Sequence, residues 1–167
     1  DYPTDIGTKI NYAITLARME QYSEAVDILE GCCVQANDTL RTAADLQLAS
    51  VLRALGRFED SRKVYEQLVS RQPENALAHR NFGVLLDLYM QEPELAKSHF
   101  EKALELTGGS DVVLSRWVKE VKSRIAAVSR AESESETDGE EVAATGVSQS
   151  GNNADPQVNA SEQDSAQ

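Results

Sequence analysis

Few side chains in this 167-residue chain are of kinds that do chemistry, and their spacing decides what they can do. His79 and His99 are the only histidines. With Glu101 or Asp87 they would supply imidazole and carboxylate donors for a metal, but no His-x-x-x-His or Glu-x-x-His spacing puts two ligands on one helical face. Both are therefore expected on the surface or lining a groove, and no metal site is expected. Cys32 and Cys33 are adjacent, at the end of a predicted helix. Neighbours in helical backbone do not reach disulfide geometry, and two thiols fall short of a zinc site. Cys32 reads as a small buried hydrophobe and Cys33 as a partly exposed thiol. No serine has an identifiable base, and Gly108-Gly109 breaks a helix rather than cradling a phosphate. Asn37-Asp38-Thr39 and Asn159-Ala160-Ser161 match the glycosylation pattern, a motif short enough to recur by chance. Catalysis needs a nucleophile or an acid–base pair held by supporting groups. No catalytic residue and no cofactor can be nominated, so the chain reads as a non-enzyme.

The elements that would position these residues are copies of one another. Ala25, Ser61 and Ala96 are spaced 36 and then 35 apart, as are Leu29, Tyr65 and Phe100, and Cys32, Leu68 and Ala103. A second group runs at 36 and then 34: Tyr12, Leu48 and Phe82; Ala13, Ala49 and Gly83; Leu16, Leu52 and Leu86. A period in the mid-thirties is one supersecondary unit in tandem. In the middle copy, Thr42 to Leu55 carries Leu46, Leu48, Val51, Leu52 and Leu55 at helical spacing, and Gly56 ends it. Phe58 to Ser70 sets Phe58, Ser61, Val64, Tyr65, Leu68 and Val69 on one face, and Pro73 closes the unit.

This pattern resembles the tetratricopeptide repeat family. The residues that carry the resemblance are Leu48-Ala49, Leu52, Gly56-Arg57-Phe58, Ser61, Tyr65, Leu68 and Pro73, then Phe82-Gly83, Leu86, Ala96, Phe100 and Ala103. Tyr12-Ala13, Leu16, Gln21-Tyr22, Ala25, Leu29 and Cys32 supply the first copy. Glu20 and Met90 stand where the inter-helix glycine is expected, and one extra residue falls around Pro93. The resemblance implies an all-α fold, an α-α superhelix (solenoid) of about three helix pairs over 6–39, 42–75 and 76–110.

A capping helix is expected over 111–130, with Leu114, Trp117, Val118, Val121, Ile125 and Val128 on its inner face. Residues 131–167 hold nine of the 28 acidic residues and no Lys, Arg, aromatic, Leu or Ile, so a disordered acidic tail is expected. Removing those nine from the net charge of −12 leaves the 1–130 domain at −3, which argues against nucleic-acid binding. No run approaches the length of a transmembrane helix, so no membrane insertion by this segment is expected. The first residue is Asp1, which suggests a processed chain or a piece of a longer protein.

The family resemblance implies that the first helix of each pair lines a concave groove for a peptide or partner helix. The residues assigned to it are Ile10, Asn11, Ile14 and Arg18; Ala43, Leu46, Gln47, Ser50 and Arg53; and Leu77, Arg80, Asn81, Val84, Asp87 and Leu88. Arg18, Arg53 and Arg80 would grip carboxylates of an extended acidic peptide. Ile10 and Ile14 occupy positions where chaperone-clamping members carry Lys and Asn, so that activity is not expected. The stretch Ala78 to Tyr89 looks like bacterial members serving cell-envelope assemblies. The expected function is a protein-interaction scaffold, cytoplasmic or periplasmic. The alternatives are a recruiting module of a larger enzyme, or a homo-oligomer built through the exposed face of the first helix.

Overall fold

The computed structural model describes residues 5–144 of the chain, with side chains placed through residue 133. Seven helices follow one another: α1 (Ile6–Arg18), α2 (Tyr22–Gln35), α3 (Asp38–Ala54), α4 (Phe58–Arg71), α5 (Ala76–Leu88), α6 (Pro93–Leu106) and α7 (Val112–Ala144). No strand occurs among the described residues. Two compact units divide between Val128 and Ser129.

The first unit is three helix pairs followed by the N-terminal part of α7. The two helices of a pair begin by different means. α1, α3, α5 and α7 each start at an Asp or Asn whose carboxylate or amide oxygen accepts a backbone N–H three residues on: Asp5 from Thr8, Asn37 from Leu40, Asn75 from Ala78 and Asp111 from Leu114. Asn37 makes α3 start at Asp38, four residues ahead of the sequence expectation. The second helices α2, α4 and α6 have no side-chain cap and emerge from a tight turn. In each turn one amide reaches back to the preceding helix: Gln21 N–H to Leu16 O, Arg57 to Leu52 and Glu92 to Leu86, all at 2.9 Å.

That turn needs one residue with positive φ. Glu20 (63°), Gly56 (76°) and Gln91 (58°) supply it. Gln91, rather than Met90, therefore stands at the glycine position, because the extra residue before α6 shifts the register by one.

Within the pairs, small residues meet large ones. Ala13, Ala49 and Gly83 are buried, as are Leu29, Tyr65 and Phe100. A Cβ on Gly83 would fall 2.5 Å from the Phe100 ring, so glycine is required where the partner is phenylalanine. Ser61, at an otherwise alanine position, is fully buried and donates its hydroxyl to Ala49 O at 2.7 Å, which cancels the cost of burying it. Two core clusters result: one runs from Ile10 to Leu52, and the other joins Ala49 and Tyr65 to Leu86, Phe100, Leu114 and Val121.

The second unit, among the described residues, is helical from Ser129 through Ala144. The capping helix was expected to end at Arg130; among the described residues α7 runs on to Ala144, since Ala131 and Glu132 are strong helix formers and no proline lies between Arg130 and Ala144. The remainder of the expected tail, and Asn159 with it, lies outside the described residues.

Candidate functional site

The helices α1, α3 and α5 each turn one face away from the core, and the sequence-assigned groove residues distribute along it. Asn11 and Arg18 are exposed, while Ile14, Gln47, Ser50, Arg53, Arg80, Asn81, Val84 and Asp87 are half-buried. Leu77 and Leu88 are open to solvent. Ile10 is not a lining residue: it is 5% exposed and belongs to the core, because it sits a turn before Ala13 on the inner face of α1.

The three arginines divide. Arg18 is exposed near the end of α1. Arg53 is engaged across the repeat boundary, donating from Nη1 to the Tyr89 hydroxyl at 2.7 Å, with the Tyr89 ring packed on Phe58. Arg80 lies 5.1 Å from the centroid of the Trp117 ring and 3.7 Å from the Asp111 carboxylate. The contacts of Arg53 and Arg80 run between helices, so both guanidiniums are engaged within the fold. Asp87 is likewise occupied, by Arg124 of α7.

Trp117 packs on the last pair as well as facing outward. Its ring is tilted against Phe100 with centroids 5.6 Å apart, and it is half-buried. Around it lies a cavity of about 200 Å³ lined by Val84, Asp87, Leu88, Phe100, Trp117, Glu120 and Val121. A sequence argument could weigh Trp117 only as core or ligand anchor. What it missed is Glu120, whose pattern reads as an ordinary solvated face.

The histidines were expected at the surface or in the groove, and the structure corrects this. His79 is buried, and its Nδ1 lies 2.9 Å from Nδ1 of His99. His79 Nε2 donates to Pro73 O at 3.0 Å, which leaves Nδ1 as acceptor for an N–H from His99. The ring centroids are 5.1 Å apart, so the two nitrogens face each other as an N–H···N bond requires. The spacing of 20 gives no helical-face signal; α5 and α6 bring the pair together only by packing. Burial, and then the neighbouring His79, lower the His99 pKa to about 4, against an upward pull from Glu66.

Cys32 and Cys33 are free. Burial first, then a hydrogen bond to Asp45, pushes the Cys33 thiol up to about 12, so it is a poor nucleophile. Asp45 is itself buried and paired with Arg71. Among the described residues no group of three or more His, Cys, Asp or Glu side chains could hold a metal ion.

Comparison with known proteins bears on this architecture. The tetratricopeptide repeat family model matches residues 42–85. No curated protein matches the sequence. Among solved structures, the chain resembles the Sgt2 TPR domain from Aspergillus fumigatus, with a TM-score of 0.66 and 18% identity over 95% of this chain and 94% of that one. It resembles the first TPR of Spaghetti (RPAP3) bound to the HSP90 peptide SRMEEVD, with a TM-score of 0.64 and 17% identity over 72% and 93%. The Yersinia enterocolitica type III secretion chaperone SycD, solved with a peptide of the translocator YopD, gives 0.62 and 17% over 71% and 92%. The match falls on the best-patterned copy and the neighbours share the stacked helix pairs: residues 42–85 match the tetratricopeptide repeat, and the chain has the fold of solved tetratricopeptide-repeat domains.

Proposed function

We propose that this protein is a non-catalytic adaptor that holds a partner peptide or helix against the face formed by α1, α3 and α5. The observation that carries the reading is the half-buried row of Ile14, Gln47, Ser50, Asn81 and Val84, which combines aliphatic contact area with side chains that bond to backbone. Structural neighbours solved with an HSP90 peptide and with a YopD peptide support it. In its finer form the proposal puts the adaptor in a bacterial cell-envelope assembly, supported by the character of the stretch Ala78 to Tyr89 and by a secretion chaperone among the neighbours.

The test is affinity capture from native lysate with the full chain as bait, against a Ser50→Arg/Asn81→Arg variant and a Lys63→Glu control on the outer helix α4. These positions avoid Arg53 and Arg80, whose contacts between helices would confuse lost binding with lost stability. The proposal expects a partner kept by the control and lost by the double variant. Equal capture by all three baits would contradict it.

A further inference from the structure

The cavity between α5, α6 and α7 has a chemistry unlike the rest of the groove. At about 200 Å³ it has room for one long side chain. Val84, Leu88 and Val121 give it an aliphatic wall, and Phe100 and Trp117 an aromatic one. The charged groups on its lining are both carboxylates, Asp87 and Glu120. An aliphatic wall ending in aromatic faces and carboxylates suits an aliphatic stem ending in a cation.

The chain already places cations on these groups. The Arg80 guanidinium lies 5.1 Å from the centroid of the Trp117 ring, and Arg124 pairs with Asp87. The Asp87 side chain is 10% exposed and held in place, whereas that of Arg124 is 47% exposed on a flexible stem and can yield to a competitor. Glu120 lines the cavity and is exposed.

We infer that this cavity is the anchor site for a basic side chain, lysine or arginine, on the partner that the groove holds. The inference rests on the adaptor reading above and names the partner's chemistry. The stem lies along Val84 and Leu88, and the head group sits between Asp87, Glu120 and the Trp117 ring. The sign is opposite to the acidic peptide expected from the arginines alone, because Arg53 and Arg80 are engaged within the fold.

Trp117 is the sole tryptophan, so its emission reports directly on the cavity. Short displayed peptides are selected against the full chain, and each selected peptide is titrated by Trp117 fluorescence and calorimetry. The expected result is a lysine or arginine at one fixed position. Acetylating that lysine, or replacing the arginine by citrulline, weakens binding roughly tenfold. Glu120→Lys does the same with an unchanged melting curve. Selected peptides without a basic residue, or binding indifferent to both acetylation and Glu120→Lys, overturn the anchor but leave the adaptor reading standing. A selection that yields no binder overturns both.

Discussion

The histidine pair makes the sharpest residue-scale prediction. The folded chain holds His99 near pKa 4, whereas the unfolded chain takes up that proton at about the ordinary 6.5. Between those values the unfolded state binds more protons, so stability is full above pH 6.5 and declines as pH falls toward 4. Allowing for the partial exposure of the ring, the loss is about 1–2 kcal/mol. Denaturant melts across this range should show the slope, and His99→Gln should flatten it; an unchanged slope would mean that His99 does not titrate as its burial requires. Gly83 makes a second prediction. Gly83→Ala drives a methyl into the Phe100 ring and should destabilise by about 1–3 kcal/mol, measured as a lowered urea midpoint. Whether a paired variant, Gly83→Ala with Phe100→Leu, recovers most of the loss checks the mechanism.

At the scale of elements, the turn inside each pair is the point of strain. Glu20 and Gln91 carry φ of 63° and 58°, where only glycine is comfortable. Gln91→Gly should stabilise by up to about 1 kcal/mol, and Gly56→Ala should destabilise by about 1 kcal/mol, both read from thermal melts. Much of this level was legible in the sequence. The 36-residue step located the pairs, because stacked copies must bury the same positions. Gly56 gave the turn its place. Two features escaped: the early start of α3, set by the cap at Asn37, and the left-handed residue before α6, displaced by one insertion. Both depend on backbone geometry that side-chain periodicity does not encode.

For the molecule as a whole, the proposed function resides in a surface, and surfaces are only half written in sequence. Periodicity identified which side chains leave the core, and it erred on Ile10 because the first helix has fewer flanking copies to fix its phase. It could not foresee that Arg53 would spend its guanidinium on Tyr89, or that Asp87 would meet Arg124, since both bonds cross between elements more than thirty residues apart. The surface proposed to meet a partner is the row of Gln47, Ser50, Asn81 and Val84, together with the cavity beside Trp117. The central claim is that this face, and not the outer helices, meets the partner. Site-specific photo-crosslinking tests it most directly, with a photoreactive residue placed at Gln47 in one version of the full chain and at Lys63 on α4 in another. The account predicts a discrete cross-linked partner from position 47 and none from position 63; a partner trapped from position 63 alone would contradict it.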